Sequence, residues 1–224
     1  MNEYHKIQTV WLRDPETKFK TLLTRQWAKP EFEYLAEAGW RATEKVDGTN
    51  IRVIYHPRTA DGGGTLEFKG KTDAAQIPPF LLDKLKERFN TTSLNEVFTD
   101  FEKGRFPDPV CLYGEGYGAR IQKGGSSYIP DGVDFILFDV KIGNTWLTDE
   151  SMREIGAKLG IRCVPVVQYG SLEDIIATVQ DGFLSWLASG VNAEGVVCKP
   201  MLDLLTRHGE RVITKIKYKD FKHE

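Results

Sequence analysis

The chain has 224 residues, with 30 Lys and Arg against 32 Asp and Glu, so its formal net charge is −2 at pH 7. Its 41% hydrophobic and 11% aromatic content can fill a core, which excludes disordered and fibrous proteins. A near-neutral balance argues against a protein that coats nucleic acid non-specifically, because such proteins carry a basic surplus. It leaves room for a local basic patch.

The N-terminus carries Glu3 and no apolar run, so it does not resemble a signal or transit peptide. The longest apolar stretches, such as residues 135–138, have the length of a strand and fall far short of the ~20 residues of a membrane span. We therefore expect a soluble, cytoplasmic chain without a membrane partner. Cys111, Cys163 and Cys198 are odd in number and widely spaced, which predicts small core residues and neither disulfides nor a zinc site.

Along the chain, helix signals are scattered among strand signals. Helices are predicted over residues 30–38, 78–89, 148–160 and 171–190. A further helix is predicted to start at Ser93, which forms a capping box with Glu96. Strands are predicted over 51–55, 65–69, 110–113, 134–140, 161–168, 195–199 and 211–217, with Asp61-Gly62-Gly63-Gly64 connecting the first two as a hairpin. Because strands and helices do not alternate regularly, the pattern favours an α+β fold of two mostly antiparallel sheets with flanking helices.

Residues 44–50, Glu-Lys-Val-Asp-Gly-Thr-Asn, carry the first chemical signal. A lysine followed by a carboxylate and a glycine suits a nucleophilic amine on a tight turn, because glycine lets a phosphate approach the backbone. A solvated Asp-Gly turn before a β-strand explains the same pattern and stays open. The glycines of residues 114–118 do not match a dinucleotide loop, and no phosphate-binding P-loop motif occurs.

Five segments in fixed order resemble motifs I, III, IIIa, IV and V of the covalent nucleotidyltransferases, the superfamily of RNA ligases, DNA ligases and mRNA capping enzymes. They are residues 45–50 (KVDGTN), 112–116 (LYGEG), 134–140 (DFILFDV), 194–200 (EGVVCKP) and 213–217 (ITKIK). Asn50, where DNA ligases and capping enzymes usually place arginine, and the form of motif IV are similar to ATP-dependent RNA ligases of the type 2 phage class.

This resemblance implies an adenylyltransferase (ATP-grasp-like) fold. Residues 1–224 are expected to form a single nucleotidyltransferase domain without a C-terminal oligonucleotide-binding or accessory domain. Either the ligase is minimal, or a partner protein or the substrate's own structure substitutes for that domain. DNA ligases and capping-type guanylyltransferases stay open as alternatives. A catalytically idle RNA- or nucleotide-binding module also stays open, although Lys45, Glu115, Glu194, Lys215 and Lys217 are all present.

The resemblance further implies three steps that join an RNA 5′-phosphate to a 3′-hydroxyl. The Lys45 amine attacks the α-phosphorus of ATP, AMP passes to the 5′-phosphate, and the 3′-hydroxyl displaces AMP. Glu194, Lys215 and Lys217 are the other predicted catalytic residues. Lys215 and Lys217 alternate on one strand and therefore share a face, where positive charge would favour a neutral Lys45 amine and bind phosphate. An exposed lysine stripe on an edge strand is the alternative.

Three carboxylates and a set of phosphate and adenine contacts complete the implied site. Asp47, Glu115 and Glu194 can gather Mg²⁺ or Mn²⁺ through its waters. Predicted ATP contacts are Glu44, Lys45, Asn50, Lys71, Glu115, Phe138, Glu194, Lys199, Lys215 and Lys217. Phe138 would stack on adenine, although a core residue explains it as well. Lys71 stands where the family commonly has an arginine and lacks its bidentate fork.

Two further basic residues, Arg120 and Lys123, follow the glycine-rich segment. They are candidates for contact with the RNA 5′-phosphate, and a solvated loop is the alternative.

Overall fold

A computed structural model of the chain describes residues 3–57, 64–98 and 108–221. The chain divides into two compact units. The central unit draws its residues from 1–4 and 47–164, and the flanking unit draws its residues from 5–46 and 165–224. The chain passes from one unit to the other three times, between Tyr4 and His5, between Val46 and Asp47, and between Val164 and Pro165.

The secondary structure mixes short helices with strands throughout. The helices are α1 (Pro30–Tyr34), α2 (Pro79–Arg88), α3 (Thr91–Phe98), α4 (Asp149–Lys158) and α5 (Leu172–Asp181), and 3₁₀ turns occur at Gly125–Ser127 and Tyr218–Asp220. The strands are β1 (Gln8–Thr9), β2 (Trp11–Arg13), β3 (Leu22–Trp27), β4 (Trp40–Glu44), β5 (Thr49–His56), β6 (Thr65–Lys69), β7 (Val110–Gly118), β8 (Val133–Ile142), β9 (Thr145–Trp146), β10 (Val166–Gly170), β11 (Gly195–Pro200) and β12 (Thr214–Lys217).

The flanking unit is built on a five-stranded sheet in the order β1-β12-β11-β4-β10, in which only β1 and β12 pair in parallel. Strands β2 and β3 form a separate antiparallel pair. The core lies on one face of the larger sheet, where Trp40, Val196 and Ile216 belong to the same apolar cluster as Ile175 and Val179 of α5. Because side chains alternate along a strand, the residues between them occupy the opposite face.

The central unit is built on a wholly antiparallel sheet in the order β6-β5-β7-β8-β9. Ile51, Val53 and Tyr55 alternate along β5 and pack in one core with side chains of α2, α3 and α4, including Leu85 and Met152. The intervening residues of β5, among them Arg52, occupy the other face of the sheet. The predicted class, α+β with mostly antiparallel sheets, is confirmed.

The helix starts at Thr148 and Ser171 are confirmed, because each side chain caps its helix. Ser171 and Asp174 form a complete capping box. The capping box predicted at Ser93 is wrong: Ser93 lies inside α3, and its backbone N–H donates to Asn90 Oδ1 at 2.9 Å. Two helices are shorter than predicted. α1 ends at Tyr34, and α5 ends at Asp181 because Gly182 follows at φ 81°.

Most predicted strands are present, with different limits. The predicted strand over 161–168 begins only at Val166, and the one over 211–217 begins at Thr214. Strands β1 to β4 and β9 were not predicted. β5 and β6 pair antiparallel with His56 opposite Thr65, and the Asp61-Gly62-Gly63-Gly64 connection lies, apart from Gly64, outside the described residues.

Cys111 and Cys198 are buried as predicted, Cys163 is half-buried, and all three are free thiols. Burial raises the pKa of the Cys111 thiol to about 11, so it is protonated at neutral pH. In the part of the chain that the structure describes, no helix is both long enough and apolar enough to cross a membrane.

The cap of α5 gives a test of the fold. Ser171→Ala removes the oxygen that accepts from Asp174 N, so we expect the free energy of unfolding to fall by about 1 kcal/mol. Ser171→Asn, which keeps a capping oxygen, should stay close to the parent protein. Urea denaturation of the three proteins measures the difference, and equal loss in both variants would contradict a capping role.

Candidate active site

Three strands of the flanking unit bring Lys45, Glu194 and Lys217 to one end of its sheet. The register pairs Val196 of β11 with Glu44 of β4, and the Lys45 backbone N–H donates to Gly195 O at 2.9 Å. On the other side of β11, Gly195 pairs with Lys217 of β12. Antiparallel pairing therefore places the end of β4, the start of β11 and the end of β12 next to one another.

The Glu194 carboxylate bridges the two lysines. Its Oε2 lies 2.5 Å from Lys45 Nζ and its Oε1 lies 2.9 Å from Lys217 Nζ. The side chains of Lys45, Glu194 and Lys217 are 23%, 17% and 18% exposed, respectively, so the three charges are partly shielded from water. An ion pair in such a position is screened less than one at the surface.

The two ammonium groups determine the charge of Glu194. Burial by itself raises the pKa of this carboxyl group, but Lys45 and Lys217 outweigh burial and hold the pKa below its usual value. Glu194 is therefore a carboxylate at neutral pH. The sequence predicted positive charge beside Lys45, and the structure adds a carboxylate that pairs with it. The role of Lys45 as a nucleophile stays a prediction.

Gly195 makes the bridge geometrically possible. Its φ is 144°, a conformation that a residue with a side chain rarely adopts. A Cβ at this position would also lie 2.8 Å from Lys217 Cα. A glycine therefore lets β11 begin close beside β12 while the preceding residue, Glu194, turns its carboxylate toward both lysines.

The same face of the sheet carries further positive charge. Val197 pairs with Thr43 on one side and with Lys215 on the other, and Lys199 pairs with Arg41. Since alternate residues share a face, Lys45, Lys199, Lys215 and Lys217 lie together, opposite the apolar core. Arg41, which was not predicted, lies there too; its four-residue spacing from Lys45 on a strand was the available signal.

Glu44 occupies the other face of β4 and is 1% exposed. Its carboxylate accepts hydrogen bonds from Ser185 Oγ and from the Trp186 backbone N–H, the latter at 2.8 Å. Ser185 Oγ in turn accepts from the backbone N–H of Ala188 at 2.8 Å. In this position Glu44 supports the 185–188 turn, and its assignment as an ATP contact stays a prediction.

In the central unit, Asn50 and Glu115 lie directly opposite each other on β5 and β7. Asn50 Oδ1 is buried without a hydrogen-bond partner among the described residues, an arrangement that native proteins generally avoid unless a ligand or water completes it. Gly48 lies against β7 so closely that a Cβ would be 2.7 Å from Glu115 Cγ. The Asp47-Gly48 segment before β5 is held further by Gln122, whose Nε2 donates to Gly48 O at 2.9 Å.

The predicted metal-binding carboxylates belong to different units: Asp47 and Glu115 to the central unit and Glu194 to the flanking unit. Within residues 3–57, 64–98 and 108–221, no group of three or more His, Cys, Asp or Glu side chains could hold a metal ion. Asp47 and Glu115 are half-buried, and their oxygens suit a hard cation held partly through water. The metal assignment stays a prediction.

Phe138 is half-buried on β8 and is not part of the helix-packed core of the central unit. Its ring contacts the Tyr4 ring edge-on, with centroids 5.1 Å apart, and Tyr4 Oη donates to Asp139 Oδ2 at 2.7 Å. Phe138 therefore packs against Tyr4 outside that core, and its assignment as the residue that stacks on adenine stays a prediction.

The remaining basic candidates are exposed. Lys71 lies on the turn that follows β6, and Arg120 and Lys123 lie after β7. The Arg120 guanidinium sits over the Phe80 ring, 5.8 Å from its centroid. One buried cation of this unit, Arg52, was not predicted; an arginine between apolar residues of a strand was its only signal.

A model of the RNA ligase family matches residues 39–217. Two lysine-to-alanine variants of Naegleria gruberi RNA ligase, each with ATP and Mn, are similar in structure. The first is 20% identical, with a TM-score of 0.59, and the match covers 85% of this chain and 54% of the Naegleria gruberi chain. The second is 18% identical, with a TM-score of 0.62, and the match covers 97% of this chain and 56% of the other.

The Naegleria gruberi enzyme with PPi is also similar, with 21% identity and a TM-score of 0.58 over 84% of this chain and 52% of its own. The chain thus spans just over half the length of these solved structures. No curated protein matches the chain. The likeness in structure shows a shared fold, and the phage class stays a prediction.

The Glu194 bridge predicts a pH-dependent stability. Because its pKa is lower in the folded protein than in the unfolded chain, the bridge stabilises the fold above the usual carboxylate pKa, and this contribution is lost as the pH falls through the folded pKa. Urea denaturation of the parent protein and Glu194→Gln from about pH 7 to about pH 2 should show a stability gap that closes in acid. A gap independent of pH would contradict the ion pairs.

The close approach at Gly48 predicts a packing defect. Gly48→Ala places a methyl group against β7, and we expect the free energy of unfolding to fall by about 1 to 3 kcal/mol. Gly124→Ala is the matched control, because a Cβ there meets nothing within 4 Å. Denaturation curves that agree between the two variants would contradict the prediction, because they would show that β7 accommodates the methyl group with no loss of unfolding free energy.

Proposed function

We propose, from the premise that this chain belongs to the RNA ligase family, that it joins RNA 5′-phosphate and 3′-hydroxyl ends at the expense of ATP. The observation that carries the proposal is the Glu194 carboxylate bridging Lys45 and Lys217 on a basic sheet face. The likeness to a ligase solved with ATP and Mn, and with PPi, supports ATP as the nucleotide. We further propose that the reaction takes place in the cytoplasm, where RNA and ATP are both available.

In the first step, the Lys45 amine would attack the α-phosphorus of ATP. A P–N bond forms, the bond from the α-phosphorus to the bridging oxygen breaks, and pyrophosphate leaves with the electron pair. Lys45 must first give up a proton to water, because the lowered pKa of Glu194 makes that carboxylate a weak base, and the Lys45 amine must then leave its 2.5 Å contact with Glu194. Lys215 and Lys217 would offset the negative charge that develops on the phosphate oxygens.

In the second step, an oxygen of the RNA 5′-phosphate attacks the same phosphorus and the P–N bond breaks, which frees Lys45. In the third, the 3′-hydroxyl attacks the RNA 5′-phosphorus and AMP leaves. Lys199 on the basic face would hold phosphate oxygens during these transfers. Asn50, whose Oδ1 is buried without a partner among the described residues, would hold a ribose or phosphate group, or the RNA terminus.

The remaining roles concern adenine and the metal. Phe138 would stack on the adenine ring. Asp47, Glu115 and Glu194 would hold Mg²⁺ or Mn²⁺, partly through water, and the cation would offset phosphate charge. Asn50 in place of arginine favours RNA ligation over the DNA ligase and guanylyltransferase alternatives. The ion pairs of Glu194 with Lys45 and Lys217 disfavour a catalytically idle binding module, because such a module does not need an amine held ready for reaction.

The proposal predicts a covalent lysyl-AMP. Incubation with α-labelled ATP and Mg²⁺ or Mn²⁺ should label the protein, and Lys45→Ala should abolish the label because it removes the attacking amine. Lys158→Ala, which removes a lysine from the surface of α4, should label normally. Labelling of Lys45→Ala equal to the parent would exclude Lys45 as the nucleophile.

The alternatives are separated in the same assay. Label from α-labelled GTP in preference to ATP would indicate a guanylyltransferase. Sealing is then measured on single-stranded RNA, nicked duplex RNA and nicked DNA. Sealing confined to DNA would indicate a DNA ligase, and binding of RNA without label or sealing would indicate an idle module.

A further inference from the structure

Arg52 is a fully buried cation in the middle of β5, with its side chain 0% exposed. A guanidinium stays charged at any pH at which proteins fold. Burying such a charge is costly unless hydrogen bonds and an opposite charge compensate it. A buried arginine in a central strand therefore indicates that the fold uses its fixed, planar donors for a specific contact.

The donors of Arg52 hold the turn that follows β6. Nε donates to Gly70 O at 2.9 Å and Nη2 donates to Asp73 Oδ1 at 2.8 Å. These two contacts lie on either side of Lys71 in the chain. The turn is tight as well, because Ala75 N donates to Thr72 O at 3.2 Å and a Cβ on Gly70 would lie 2.9 Å from Ala75 Cβ.

Asp73 completes this contact from the surface. Its side chain is 67% exposed, yet the hydrogen bond from Arg52 and the charge of Lys69 lower the pKa of its carboxyl group. Because the Arg52 guanidinium is fully buried, the Asp73 carboxylate compensates a charge that would otherwise be costly to bury. Since Arg52 is held inside the sheet, the pair also determines where the turn lies.

We infer that Arg52 and Asp73 are positioning residues that hold the 70–75 turn so that the Lys71 ammonium can contact a phosphate of ATP. The inference rests on the proposed function. Lys71 itself lies on an exposed turn, and an ammonium on a mobile turn would lose entropy on binding phosphate. A turn tied to a buried strand on both sides of the lysine reduces that loss.

A double-mutant cycle tests this coupling through the rate of lysyl-AMP formation at limiting ATP. We expect Lys71→Ala to lower kcat/KM for ATP by about 10-fold and Asp73→Ala to lower it by about 5-fold. If Asp73 acts through Lys71, the double variant falls by about 10-fold and not by the product of about 50-fold. A fall equal to the product would overturn the inference.

Glu154→Ala is the matched control, because Glu154 is a 63% exposed carboxylate of the same unit that forms a 2.7 Å ion pair with Lys158. It should leave kcat/KM unchanged. Arg52→Lys keeps the positive charge but loses the planar guanidinium donors, so it should lower kcat/KM for ATP by as much as Asp73→Ala does. Combined with Lys71→Ala, it should lower kcat/KM no further than Lys71→Ala alone. Parent-like activity of Asp73→Ala would also overturn the inference.

Amide hydrogen exchange tests the positioning of the 70–75 turn separately from the proposed ligase function. Faster exchange at residues 71–75 in Asp73→Ala than in Glu154→Ala supports a turn held by Arg52 and Asp73, whether or not the protein is a ligase. Unchanged exchange at these residues overturns that positioning role. A parent protein that forms no lysyl-AMP would overturn the proposed function while leaving this measurement intact.

Discussion

The bridge from one carboxylate to two lysines is the interaction on which the candidate site depends. Lys45 and Lys217 end strands on either side of β11, and two ammonium groups so placed repel each other unless a negative charge joins them. Glu194 supplies that charge, with oxygens 2.5 and 2.9 Å from the two nitrogens. The same bridge holds the Lys45 amine in place, and in the proposed reaction a competing anion such as a phosphate would release it.

The basic sheet face and the buried arginine of the central unit follow a common rule. Each unit packs one face of its sheet into an apolar core and carries charged side chains on the other, although in the central unit that other face also holds buried residues such as Ile54 and Tyr113. In the flanking unit this face carries Arg41 and the lysines of β11 and β12. In the central unit it carries Arg52, whose donors reach the turn after β6. Charge held by a strand is held at a fixed position, which suits recognition of phosphate.

Local patterns in the sequence were sufficient for elements with their own signals. The caps at Thr148 and Ser171 and the alternating apolar residues of β5 predicted real elements. Strands β1 and β9, with two residues each, are too short to show a period, and they exist because a partner strand pairs with them. α5 ends at Asp181 because Gly182 turns the chain, whereas the sequence pattern predicted an end at Gly190.

The sequence by itself determined the chemical groups and their order: a lysine shortly before Asp-Gly, an acid at the start of motif IV and two alternating lysines near the end. Only the tertiary structure decided that Glu194 lies between Lys45 and Lys217 and that Arg41 pairs with Lys199. The physical reason is that periodicity reports which face a residue occupies but not which strand pairs with it. Lys45 and Glu194 are 149 residues apart, and only the sheet register brings them together.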